Sequence, residues 1–138
     1  MNDHIIKRAG EIISQKYQIC ALALFDSADY PTASTITVSK NDGIKWITLC
    51  TGLQSNKVPR IKQNSKASLC FGSNDPLYNI TLVGEIEVLT SSEIKKEMWY
   101  DGLEHHFSGA DDPNYCVLKF TTKRYNLFVD MKEETGEL

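Results

Sequence analysis

Apolar residues recur along the chain at two different periods, and the switches between them mark its elements. In Asp3 to Lys16, Ile5, Ile6, Ala9, Ile12 and Ile13 fall at i, i+1, i+4, i+7 and i+8. That spacing predicts an amphipathic helix with one buried stripe, with Asp3 as its cap. "QICALALF" (18–25) is a short apolar run. The turn-rich "DSADYP" separates it from "TASTITVSK", whose Thr and Val content suits a strand. "NDG" at 41–43 has hairpin chemistry and joins that strand to "IKWITLCT". A second helix is expected over 56–64, where Val58 and Ile61 stand three apart; Ser55 is its expected cap and Pro59 lies in its first turn.

Beyond it, "KASLCFG" and "NITLVGEIEVL" read as strands, with Ile80, Leu82, Gly84, Ile86 and Val88 on one face by strict alternation. "SSEIKKEMWYDGL" is expected as a third helix, capped by Ser91 or Ser92 and stopped near Gly102. "YCVLKFTT" and "RYNLFVDM" complete the strands, and "KEETGEL" reads as a solvated, frayed tail. About seven strands joined by short turns, with three short helices, predict a mainly β, antiparallel, closed or nearly closed sheet.

With 138 residues and 41% hydrophobic composition the chain suits a single domain over 1–138. A net charge of −3 leaves no broad positive field, which argues against nucleic-acid partners. The N-terminal stretch has no continuous apolar run, so neither a signal peptide nor a membrane span is expected, and the expected location is the cytoplasm. Four cysteines (Cys20, Cys50, Cys70, Cys116) lie far apart with no CxxC pair, which favours reduced thiols over disulfides or zinc.

Catalytic motifs are sparse: GxSxG, HExxH and GxxxxGK[ST] are all missing. His105 and His106 adjoin Asp111 and Asp112, yet adjacent histidines diverge on ordinary backbone and the aspartates have turn chemistry, so no metal is expected. His4, on the first helix, is expected to be exposed. What stands out is "CTGLQSNKVPRIKQN" (50–64), which gathers Ser55, Lys57, Arg60 and Lys62 where a helix follows a strand. Hydroxyls and ammonium groups so placed suit a phosphomonoester, and equally a solvated helix face with a serine cap. Spacing alone leaves both readings open.

"YPTASTITV", "WITLCTGLQSNKVPRIKQNSKASLCF", "ITLVGEIEVL" and "KEMWYDGLEHHFSGADDPNYCVLKF" together resemble the pyridoxamine 5′-phosphate oxidase-like flavin proteins, specifically the general stress protein subfamily. The resemblance runs from about Ile12 to Phe128. It implies a six- to seven-stranded antiparallel split β-barrel of the FMN-binding type, a homodimer with FMN at the subunit interface. Ser34, Thr35 and Ile36 would run beside the isoalloxazine, the two hydroxyls facing its pyrimidine edge. Cys50 and Thr51 would close on the flavin and its ribityl phosphate, and Ser55, Asn56 and Lys57 would meet the phosphate. Trp99, Tyr115 and Phe128 are the aromatic candidates for the cleft wall that the partner supplies.

The implied activity is an FMN-dependent oxidoreductase acting on an unknown small molecule, with NAD(P)H as a possible donor and no side-chain acid or base assigned. The alternatives are a non-catalytic binding or sensing protein for flavin, haem or deazaflavin on the same barrel, and a structural module without a cofactor. Three departures argue against a true pyridoxine 5′-phosphate oxidase. Asn56 precedes Lys57 where that enzyme's pattern has Arg-Lys, with Arg60 one turn on as a substitute. Ser34 and Ser39 replace basic residues, and "RYNLFVDMKEETGEL" lacks the Arg-x-His segment.

Overall fold

A computed structural model describes residues 3–138 of the chain. The elements are α1 (Asp3–Ile13), β1 (Ile19–Phe25), β2 (Pro31–Asp42), β3 (Trp46–Gly52), α2 (Lys57–Gln63), β4 (Lys66–Asn74), β5 (Leu77–Leu89), α3 (Ser92–Glu97), β6 (Tyr115–Val129) and β7 (Lys132–Glu137), with a 3₁₀ turn over Leu103–His105. The strands run in the order β3-β2-β1-β4-β5-β6-β7, and β3 also pairs with β6. That pairing closes six strands into an antiparallel barrel and leaves β7 outside as an extra strand. The interior is filled by alternate residues, among them Leu22, Leu69, Phe71, Ile80, Leu82, Ile47, Leu49 and Phe120. Ile5, Ala9, Ile12 and Ile13 of α1 complete this core, so the expected apolar stripe is the buried one.

Two findings differ from the expected strands. "YCVLKFTT" and the "RYNLFV" of "RYNLFVDM" form one continuous strand, β6, because the charged Lys123 is taken up in a bulge: Gly84 faces Thr122 while Val83 faces Arg124. Gly84 is required there, since a Cβ would lie 2.0 Å from the Thr121 carbonyl oxygen. The tail is also ordered. Asp130 and Met131 both take positive φ (53° and 63°), the backbone of a two-residue hairpin turn, and they return Lys132–Glu137 onto β6. Arg8 of α1 holds that turn through Asp130 at 3.1 Å. The strand is polar because it pairs on one edge only and covers little of the core, so its pattern resembles a loop.

Helix ends shift as well. α3 stops at Glu97, capped by Ser91, whose Oγ accepts from the Ile94 N–H. Gly102, at φ 113°, instead begins the 3₁₀ turn. Asn56 rather than Ser55 is the N-cap residue of α2, and Ser55 Oγ accepts from the Lys57 N–H at 3.2 Å.

The segment from α3 to residue 114 lies over the outer face of β3 and β6 and makes a second, smaller core. Cys50, Met98, Leu103, Phe107, Tyr115 and Val117 form it, with Trp46, Trp99 and Tyr100 packed at its margin. Lys95, 8% exposed, donates from Nζ to the Asp112 carbonyl at 2.8 Å and lies over the Tyr115 ring. The Tyr115 hydroxyl donates to the Lys95 carbonyl at 2.7 Å. These ties pin the loop to the barrel wall.

Candidate functional site

The barrel opens where β2 and β3 part. Their ladder runs from Asp42↔Trp46 to Val38↔Leu49 and stops, while β3 continues alongside β6 as far as Gly52↔Tyr115. Among the described residues, 31–37 of β2 therefore pair with β1 alone as a strand. At one end of this stretch Val38 N–H donates to Gln18, and at the other the Tyr30 carbonyl accepts from Asp26. Even-numbered residues thus direct their backbone groups to β1. By the alternation of an antiparallel ladder, the N–H and C=O groups of Ala33, Thr35 and Thr37 point the other way, into the gap. They form an open row of donors and acceptors with no ladder partner among the described residues.

Side chains along that row follow from the same alternation. Ile36 and Val38 face inward, and Ser34, on their side of the strand, is exposed because no strand lies opposite it. Thr35 sits on the outer face. The two hydroxyls therefore do not form one pair of donors, as had been expected of them; strand geometry sends them to opposite sides.

At the far side of the gap, α2 brings the basic cluster to β2. Lys57 and Arg60 are half-buried, and among the described residues no carboxylate pairs with either. Arg60 reaches back one turn: its Nε donates to the Asn56 carbonyl and its Nη2 to Asn56 Oδ1, both at 3.2 Å, and its Nη1 donates to Thr32 Oγ1 of β2. Arg60 thus ties Asn56, at the start of α2 beside Ser55 and Lys57, to Thr32 of β2, the strand on which Ser34 lies. With no acid beside them, the two cations leave a local positive charge to which an anion would be attracted.

Cys50 and Trp99 stand elsewhere. The Cys50 thiol is turned into the second core, 3.6 Å from the Met98 carbonyl and 3.7 Å from the Tyr115 hydroxyl. Thr51 is half-buried, next along β3. Trp99 meets Tyr115 edge-on at 5.4 Å and, with Tyr100, Val38, Ser39 and Tyr17, lines a cavity of about 390 Å³ at the other end of β2's open stretch. Ser39 Oγ donates to the Met98 carbonyl at 2.5 Å and so ties β2 to this wall. Tyr115 is wholly buried in its own chain, which removes it from the aromatic candidates for a partner's wall.

Burial raises the thiols. It pushes Cys20 up to about 12 and Cys116 up to about 11, and it also raises Cys50. All three are therefore protonated near neutral pH and poor nucleophiles. In native protein at pH 8, Cys20, Cys50 and Cys116 are expected to stay unmodified by iodoacetamide over hours, and to react promptly once urea unfolds the chain. Mass spectrometry of the tryptic peptides reads both states, and fast native labelling of any of the three would contradict their burial.

Asp112 is occupied with its own loop, accepting from the Ser108 and Asn114 N–H groups at 2.9 Å each, and these bonds hold its carboxyl below the usual range.

Residues 7–128 match the model of the family described as pyridoxamine 5′-phosphate oxidase. The chain belongs to this family. Within it, general stress protein 26 of Bacillus subtilis (strain 168) is 28% identical over 74 residues, which make up 50% of this chain and 51% of that protein. The match thus spans about half the length of that curated relative. A crystal structure from Clostridium acetobutylicum, of a protein related to general stress protein 26, is 28% identical with a TM-score of 0.88. It is matched over 100% of this chain and 97% of its own. Two solved structures at 15% identity share the fold. One is an FMN binding protein from Nostoc punctiforme PCC 73102, with TM-score 0.69 and 99% and 94% of the two chains covered. The other is a heme binding protein from Mycobacterium smegmatis, with TM-score 0.75 and 99% and 58% covered. The pyridoxamine 5′-phosphate oxidase family and its general stress protein branch are therefore where this barrel sits.

Proposed function

We propose that the chain, acting as one flavin-binding domain, holds FMN in the gap between β2 and β3 and works in the cytoplasm as an FMN-dependent oxidoreductase on a small molecule. The observation that carries this reading is the pair of uncompensated cations, Lys57 and Arg60, beside an unpaired strand edge. The donor set fits FMN. Backbone groups of Ala33, Thr35 and Thr37 offer the alternating donors and acceptors that a pyrimidine edge needs, and Ser55, Asn56 and Lys57 offer a hydroxyl, an amide and a positive charge to a phosphate. Ser34, Ile36 and Thr51 would line the space between them, with Cys50 contributing backbone and Trp99 closing the end near Ser39. The bound flavin would supply hydride exchange at its N5, and the chain supplies position, hydrogen bonds and a cleft.

Haem fits the donors less well. His105 and His106 are exposed near the 3₁₀ turn and His4 is exposed on α1, and none of them is among the residues that meet at the gap. Pyridoxine 5′-phosphate is disfavoured as substrate, because the C-terminal segment that would grip it lacks the Arg-x-His pattern and pairs as β7.

The proposed assembly is a homodimer. On the outer face of the barrel, cross-strand rows Thr35–Ala21–Cys70–Thr81 and Ala33–Ala23–Ser68–Val83 carry no charge. Ile19, 55% exposed, extends them. Two copies meeting through this face would enclose the outer side of β2, where the flavin cleft opens. Light scattering is expected to give a mass near twice 15.6 kDa.

Purified protein incubated with excess FMN and desalted is expected to keep a flavin absorbance band, and the loaded protein to oxidise NAD(P)H when an electron acceptor is supplied. Loss of all flavin on desalting would remove the reading. Retained flavin with no turnover by any donor would favour a binding or sensing role.

A further inference from the structure

We infer that Ser39, Thr48 and Met98 are the residues that hold the barrel open: together they fix a bulge in β2 that ends its pairing with β3 and so creates the gap. The cause of the parting is local. Val38 faces Leu49 and Lys40 faces Thr48, so between two consecutive residues of β3 the strand β2 carries an extra one, Ser39. A bulge bends the strand that carries it, and next to functional sites it re-aims a side chain or terminates pairing. Here β2 pairs with β1 along 31–37 and with β3 from Val38 to Asp42, and the change of partner falls at the bulge.

The Ser39 hydroxyl is drawn out of the ladder by the Met98 carbonyl, to which it donates. Met98 is the C-cap of α3, so its carbonyl has no further helical turn to serve. The thiol of Cys50, the residue of β3 just past the last β2–β3 pair, approaches the same carbonyl at 3.6 Å. A single acceptor therefore meets both strands at the point where they separate. On the other side of the bulge, the Lys40 N–H donates to Thr48 Oγ1 at 3.1 Å. The Thr48 hydroxyl hydrogen has Met98 Sδ at 3.1 Å and the Lys40 carbonyl at 3.3 Å within reach. Thr48 is 0% exposed and Met98 4%, so solvent does not compete for these bonds. A valine would fill the same space on a strand, which leaves the bulge as the reason for a buried hydroxyl between Ile47 and Leu49. Ser39, Thr48 and Met98 are thus positioning residues, setting the separation of β2 and β3 before a ligand arrives. The consequence for flavin rests on the FMN reading above, whereas the bulge and its ties do not.

The test uses full-length protein, with amide exchange followed by NMR in the absence of ligand and with FMN and riboflavin titrated separately by flavin fluorescence. Deleting Ser39 removes the extra residue, so β2 should run on beside β3, and the amides of Thr35 and Thr37 should exchange about tenfold more slowly than in wild type. Thr48→Val should speed exchange at the Lys40 amide about tenfold, and Thr48→Ser should restore it. Ser39→Ala and Thr48→Val should each weaken FMN and riboflavin alike, by about threefold to tenfold, because the shape of the cleft changes and the phosphate contacts do not. Ser39→Thr keeps the hydroxyl and should recover most of the loss. If the deletion does not fold, the point variants carry the test. A folded deletion variant whose Thr35 and Thr37 amides exchange at the wild-type rate would overturn the inference. So would an unchanged Lys40 amide in Thr48→Val, or a loss of affinity limited to FMN. If wild type takes up neither flavin, the FMN reading fails by itself, and the exchange rates still decide whether this bulge holds the strands apart.

Discussion

Replacing Phe120 by alanine should lower the stability of the protein by about 3–5 kcal/mol, the range for emptying a large aromatic position in a core. Phe120 is fully buried and stands opposite both Ile47 of β3 and Ile86 of β5. It therefore lies where β6 joins the two ends of the sheet, and its ring fills the space at the seam of the barrel. Against a total stability of roughly 5–15 kcal/mol for a domain of this size, that loss is a large fraction. Urea denaturation followed by circular dichroism should show a lower midpoint with little change in slope, the mark of a cavity rather than of a rearranged unfolded state. A shift below about 1 kcal/mol would mean that the seam collapses around the gap, and that closure of β3 on β6 does not depend on this side chain.

The strands that hold Phe120 were legible because a strand buried on one face shows its period directly. Ile80, Leu82 and Ile86 of β5 alternate with less buried residues, whereas Tyr115 to Leu118 of β6 are buried on both faces and show only as an apolar run. What escaped the pattern has specific physical causes. The single β6 strand is hidden by Lys123, a charge absorbed at a bulge that only the glycine on the neighbouring strand permits. β7 is hidden because an edge strand with one partner needs no apolar face, and because Asp130 and Met131 adopt a left-handed turn without the usual Asn-Gly signal. At the site, the clustering of Ser55, Lys57 and Arg60 could be read from spacing. The gap they face could not, since it depends on β3 parting from β2 after Leu49 while it stays paired with β6, a pairing choice made by residues far apart in the chain. Nor could spacing tell that Cys50 turns toward Met98 and Tyr115. Met98, just after α3, is 48 positions downstream and Tyr115, the first residue of β6, is 65.

Lys57→Ala should weaken FMN binding roughly tenfold to a hundredfold while leaving riboflavin binding and thermal stability unchanged. The ammonium is half-buried and has no hydrogen-bond or ion-pair partner among the described residues, so its removal breaks no internal contact and its effect falls on the ligand. A charge-assisted contact to an ionised group contributes about 1.5–3 kcal/mol, which converts to the stated range. Lys62 provides the comparison. It lies on the same short helix and is exposed, in the last turn rather than the first, so Lys62→Ala should change FMN affinity by less than about twofold if screening by solvent governs it. Added salt should weaken FMN binding to wild type and should do so less steeply in Lys57→Ala, because one charge has left the contact. Should the two lysine variants behave alike, the attraction would be a diffuse property of the whole helix face. A loss confined to Lys57, and confined to the phosphorylated flavin, would tie the charge in this otherwise acidic chain to the gap where β2 and β3 part.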